Sequence, residues 1–163
     1  MLKSEIIKRS AKMQTYKTLI RPAVTCGSEK WTLTKSDENL LRIFERKILR
    51  KIYGPIQEGD IWRIRNNEEL NRSINGEDTV KFIKVQRIRW LEHVNGKEEG
   101  AMAREMVEGR LLIGRRKGRS RLRWMDDVVA DLQGMKIKQW MEKMKGREKW
   151  RLIVEEAKVH PGL

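Results

Sequence analysis

Apolar residues in this chain recur at intervals of three and four, with few β-branched or aromatic runs and only three prolines. That pattern predicts an all-α protein with strands minor or absent. The clearest helix is DENLLRIFERKILRKIY at residues 37–53, where Leu41, Phe44, Ile48 and Ile52 form one apolar stripe. Thr34 and Asp37 fit the S/T-x-x-D/E start, in which the hydroxyl and the carboxylate each satisfy a backbone N–H of the first turn. Gly54-Pro55 supplies the stop, since glycine tolerates the left-handed cap and proline cannot continue the helix. Arg42, Arg46 and Arg50 follow at i, i+4 and i+8 and share a face beside the stripe, either as a solvated charged surface or as one that meets phosphate.

A second helix is predicted over Asp78 to Val94, where Val80, Ile83, Trp90, Leu91 and Val94 fall within an arc of roughly 100°. Arg87 lies inside that arc, so its stem must run along apolar surface to water or its head must pair with a carboxylate. Asn75-Gly76, within SINGED at 73–78, is a turn signal and the candidate hinge between residues 1–72 and 78–163. Further helices are predicted near Ala101 to Val107, from Trp124 to Leu132, and as a pair around Gly146 carrying Trp140, Met144, Trp150, Ile153 and Val154. Arg-x-Arg-Trp occurs twice, as RIRW at 87–90 and RLRW at 121–124. Each tryptophan would anchor a helix in the core while its arginines stay wet, with base stacking as the other reading.

Charge changes the picture more than hydropathy does. Thirty-seven Lys and Arg against 23 Asp and Glu give a formal net charge of +14, enough to bind polyanions at low salt whatever the fold. No apolar run exceeds three residues, so no membrane span is expected, and MLKSEIIKRS lacks the apolar centre of a secretory signal. The expected location is intracellular and nuclear. Cys26 is the only cysteine, read as a small buried hydrophobe, and with His93 and His160 it gives too few soft ligands for zinc. No metal and no cofactor are expected.

The positive charge is least opposed in RLLIGRRKGRSRLR at 110–123, which holds seven basic residues and no acidic one. Gly114 and Gly118 interrupt any helix there, so the segment reads as a flexible arm that follows a phosphate backbone, or as a solvated linker or nuclear-import signal. The expected nucleic-acid contacts are Arg110, Arg115, Arg116, Lys117, Arg119, Arg121 and Arg123, with Arg42, Arg46 and Arg50 as a second surface. Asp126-Asp127 directly follows, but two-metal phosphoryl transfer needs a third acid on a rigid neighbouring element. In the first turn of a helix starting near Trp124 the two acids instead complement the positive helix N-terminus, with Asp131 continuing the wet side.

Four phrases, YKTLIRPAVTCGSEKWTLTKSDENLLRIFERKILRKIYGPI, VKFIKVQRIRWLEHV, GRRKGRSRLRWMDDV and REKWRLIVEEAKVHPGL, in that order resemble the C-terminal part of the reverse transcriptase of arthropod non-LTR retrotransposons. The resemblance implies that residues 1 to about 56 correspond to the polymerase thumb, which grips a template-primer duplex through its backbone, and that the rest is the basic C-terminal region. It departs from the family at Cys26, where tyrosine is common, at Lys30, where threonine is common, and at Ser120, where proline is common. Fingers, palm and endonuclease motifs are not among these residues. The expectation is a noncatalytic, helical remnant that binds RNA or DNA backbone with low sequence specificity. The alternative is a helical interaction domain whose basic face meets an acidic partner.

Overall fold

The computed structural model describes residues 6–96, 124–161 and 163. The helix predicted near Ala101 to Val107 and the arm at 110–123 lie outside the described residues. The chain divides into two compact units, one of residues 6–27 and 34–82 and the other of residues 28–33 and 83–96 with 124–163.

In the first unit, helix α1 (Arg9–Thr15) passes through a π-helical turn at Tyr16–Ile20 into α2 (Arg21–Val24). Helix α3 (Lys35–Tyr53) follows, then α4 (Asn67–Ser73) and the first turn of α5 (Thr79–Asn95). The start of α3 is built as its sequence dictates: Asp37 N–H donates to Thr34 Oγ1 at 3.2 Å and Thr34 N–H donates to Asp37 Oδ2 at 2.9 Å. The Thr34 hydroxyl, which also donates to Asp37 Oδ2 at 2.7 Å, and then the Thr34 N–H hold the Asp37 carboxyl below the usual range. Gly54 ends the helix at φ 69°, a region open to glycine. Asn66 and Glu69 form a second capping box at the start of α4.

The buried side of α3 matches the predicted stripe at Ile48 and Ile52 but not at Phe44. Glu45, Ile48, Leu49 and Ile52 are buried, whereas Phe44 is 38% exposed. Tyr16, Ile48 and Ile52 form one cluster, and Leu49, Leu70 and Ile74 form another, with Met13 and Tyr53 packed against both. Glu45 is tolerated inside because Tyr16 Oη donates to it at 2.5 Å and the Thr79 N–H donates at 2.9 Å. Burial, and the Glu45 charge beside it, raise the Tyr16 phenol well above its ordinary pKa.

Two short strands correct the all-α expectation: β1 (Ile56–Glu58) pairs antiparallel with β2 (Ile61–Arg63) around Gly59, which takes φ 64°. The protein is therefore mostly helical with one hairpin. The Asn75-Gly76 turn, with both residues left-handed, joins α4 to α5 inside the first unit.

The second unit packs α5 against α6 (Trp124–Gly134) and α8 (Arg147–Val159), with the short α7 (Trp140–Met144) between them in sequence. Val85, Ile88 and Leu91 meet Met125, Val128, Leu132 and Met135 from α6, and Trp150, Ile153, Val154 and Ala157 from α8. Trp150 is fully buried and its indole N–H donates to the Ile88 carbonyl at 3.1 Å, which resolves the polar end of an otherwise apolar anchor.

Candidate nucleic-acid interface

The expected phosphate contacts Arg110, Arg115, Arg116, Lys117, Arg119, Arg121 and Arg123 lie outside the described residues. The second expected surface is described, and its three arginines differ. Arg42 donates to Asp78 Oδ2 at 3.0 Å and to Glu38 Oε2 at 3.2 Å. Burial opposes its charge, yet those carboxylates outweigh it and raise the guanidinium pKa. Arg50 donates to Asn67 Oδ1 at 2.8 Å and to the Arg65 carbonyl at 3.4 Å, tying α3 to the chain entering α4. Arg42 alone of the three is ion-paired among the described residues, and Arg46 makes neither an ion pair nor a side-chain hydrogen bond among them. All three are half-buried, so the face is largely a set of internal contacts.

In the second unit Arg87 is 2% exposed. It donates to Asp127 Oδ2 at 2.9 Å, to Asp131 Oδ2 at 2.6 Å and to the Trp31 carbonyl at 3.4 Å. Pairing with carboxylates is one of the two options that its position on α5 predicts. Asp127 also accepts the Leu33 N–H at 3.2 Å, so the pair of aspartates is split: Asp126 is exposed, and Asp127 fixes the 28–33 segment and Arg87. Asp131 is buried, which corrects its placement on the wet side. Burial raises its pKa above the ordinary carboxylate range despite Arg87 and Lys84 beside it. The Arg-x-Arg-Trp reading fails at Arg87, which is not wet, and holds at Arg89, which is exposed. Cys26 is exposed, contrary to the buried role expected of it, because the turn that follows α2 carries it outward.

A groove of about 1210 Å³ opens in the second unit. Its lining includes Trp90 and His93 from α5, Met125 from α6, and Trp140, Met141 and Met144 from α7. The Trp90 and His93 rings lie 4.8 Å apart at an interplanar angle of 31°, and Lys30 Nζ sits 5.7 Å from the Trp90 ring centre. Arg89, Lys145 and Arg147 also line it, with Glu29 and Glu92; the three cations are exposed and make no ion pair among the described residues. Sequence reasoning did not assemble this groove. Its one legible sign was Arg89-Trp90 within RIRW, a cation and an aromatic side by side.

No family model and no solved structure matches the chain. It is 25% identical over 155 residues to a protein of Caenorhabditis elegans described as transposon-derived and uncharacterized. The match takes in 91% of this chain but 56% of that relative, so the chain spans little more than half the relative's length. The similarity points to a transposon-related origin.

Proposed function

We propose that this chain is a noncatalytic, reverse-transcriptase-derived piece of a non-LTR retrotransposon that binds RNA or DNA through its backbone. The observation that carries the proposal is a conjunction: similarity to a transposon-derived protein along 91% of the chain, and a 14-residue stretch at 110–123 with seven cations and no anion. Phosphate contact requires cations that are not already neutralised by the protein's own carboxylates. Arg42 is so neutralised by Glu38 and Asp78, and Arg50 is tied by hydrogen bonds to Asn67 Oδ1 and the Arg65 carbonyl, which leaves Arg110, Arg115, Arg116, Lys117, Arg119, Arg121 and Arg123 as the expected contacts, with Arg46 the remaining contributor from α3. Asp127 is bound to Arg87 and to a backbone N–H, so its role is to hold the fold rather than a metal.

The test is competition at fixed ionic strength. An RNA–DNA hybrid of 20 base pairs should displace a labelled duplex far better than polyglutamate carrying the same number of charges. With about five phosphates neutralised, the log–log salt slope on duplex DNA should be near −4.5. Equal displacement by polyglutamate would instead favour the acidic protein partner.

A further inference from the structure

We infer that the groove of the second unit is a stacking site for an unpaired base of a single-stranded nucleic acid, an assignment that rests on the nucleic-acid reading above. Bases present flat π-faces and are gripped by aromatic side chains with cations nearby for the adjoining phosphates. The groove supplies both. Trp90, His93 and Trp140 are aromatic, Met125, Met141 and Met144 are polarisable and adaptable, and Arg89, Lys145 and Arg147 are exposed without an ion pair among the described residues. Three cations against Glu29 and Glu92, with Lys30 close to Trp90, favour an anionic occupant over an apolar one.

The turn that brings Trp140 to the groove is fixed by the caps of α6 and α7. Lys136 takes φ 58° and Gln139 takes φ 52°, two of the three left-handed non-glycine residues among those described. A side chain in that region is strained, and such positions persist where the surrounding structure over-determines them. Here they hold α7, whose Trp140, Met141 and Met144 form one wall of the groove while Met141 remains 52% exposed. An isolated core helix would not need a half-exposed wall of this kind. The basic stretch at 110–123 is tethered in sequence to two lining residues, Gly96 before it and Met125 after it.

The experiment uses the full chain and two labelled probes, a 12-nucleotide oligo(dT) and a 20-base-pair duplex, read by anisotropy. Trp140→Leu keeps apolar bulk but removes the ring, and should weaken oligo(dT) binding about 5- to 50-fold while duplex affinity stays within about twofold. Trp140→Phe should restore most of the loss. Because Trp140 also packs against the core, the double variant Arg89→Gln with Arg147→Gln, both exposed, provides a second readout. It should flatten the oligo(dT) salt slope by about 1.4, from two phosphates at about 0.7 each. Wild-type chain that binds neither probe would overturn the nucleic-acid reading itself. Wild-type chain that binds both, with Trp140→Leu and the double variant indifferent on oligo(dT), would overturn the groove alone, as would a Met-and-Leu-rich helical peptide displacing oligo(dT) more strongly than unlabelled oligo(dT) does.

Discussion

In the first unit Arg21 reaches Glu77, Arg42 reaches Glu38 and Asp78, Arg50 reaches Asn67, and Arg63 clamps Glu58 and Glu69. In the second, Arg89, Lys145 and Arg147 stand around an aromatic groove with no close ion pair among the described residues, Arg89 acting on Glu155 only at longer range, and Arg87 is drawn inside. The two regions show why net charge alone locates nothing. A guanidinium forked onto a carboxylate fixes an element in place; the same group left unpaired keeps its charge available for a ligand.

Breaking the internal use of arginine should give the largest effect at Arg87. Arg87→Met leaves Asp127 and Asp131 near each other with only Lys84, 3.5 Å from Asp131, as counter-charge, and removing one partner of a buried pair typically costs about 3 to 5 kcal/mol. Tryptophan fluorescence reads this directly, because Trp31, Trp90, Trp124, Trp140 and Trp150 all belong to the second unit and a Trp62→Phe background removes the sixth. A melt within about 0.5 kcal/mol of the parent would mean that the network contributes nothing.

Glu45 is the corresponding point in the first unit. Glu45→Gln retains one acceptor for two donors, Tyr16 Oη and the Thr79 N–H, and should cost about 1 to 3 kcal/mol. Tyrosine second-derivative absorbance follows it, since Tyr16 and Tyr53 both lie in the first unit. Arg42→Gln should cost less, about 1 kcal/mol, its partners being only partly buried, and should leave nucleic-acid affinity within about twofold.

These residues also mark how far the sequence could be read. The caps of α3 were legible because Thr34, Asp37 and Gly54 act on backbone groups one turn away, so local chemistry decides them. Helix α6 and the α7–α8 pair followed from spacing alone. The buried face of α3 was legible at Ile48 and Ile52 but not at Glu45 or Phe44: Glu45 looks polar, and only its pairing with Tyr16, 29 residues earlier, explains why it is inside and Phe44 is half out. Asp131 misled for the same reason, its partner lying on α5. The hairpin was missed because strands of three residues are too short to show alternation, although Gly59-Asp60 marks its turn. Helices α1 and α4 were also unplaced, even though Asn66 and Glu69 spell a capping box. The groove draws on α5, α6 and α7 at once, so no single stretch could have disclosed it.

Acidification should separate the units by a smaller margin. Burial opposes ionisation of Glu77, but Lys17 and Arg21 outweigh it and lower its pKa, and Arg63 holds Glu69 at about 2. Groups lowered on folding contribute stability above their unfolded value of 4.5, and it is lost as pH falls through their folded values. Asp131 has the opposite sign: its raised pKa favours folding below its unfolded value of 3.8, an advantage lost as pH rises through the folded value. Melts at pH 7, 5 and 3 should therefore show the tyrosine signal losing more stability than the tryptophan signal, and Glu77→Gln should narrow that gap. Equal losses would contradict the placement of most acid-sensitive carboxylates in the first unit, Glu155, lowered by Lys158, being the second unit's counterpart.

The central claim, that binding belongs to cations not engaged within the fold and so not to Arg42 and Arg50 of α3, is tested most directly by salt dependence. Log K against log salt on one duplex should be measured for the parent, for a variant with Arg115, Arg116, Lys117 and Arg119 changed to Ala, and for one with Arg42, Arg46 and Arg50 changed to Gln. Each lost phosphate contact removes about 0.9 from the slope. The first variant should flatten it by about 3 to 4, and the second by no more than about 1, the share of Arg46. A slope unchanged in the first variant and flattened by about 3 in the second would contradict the account and return the binding surface to α3.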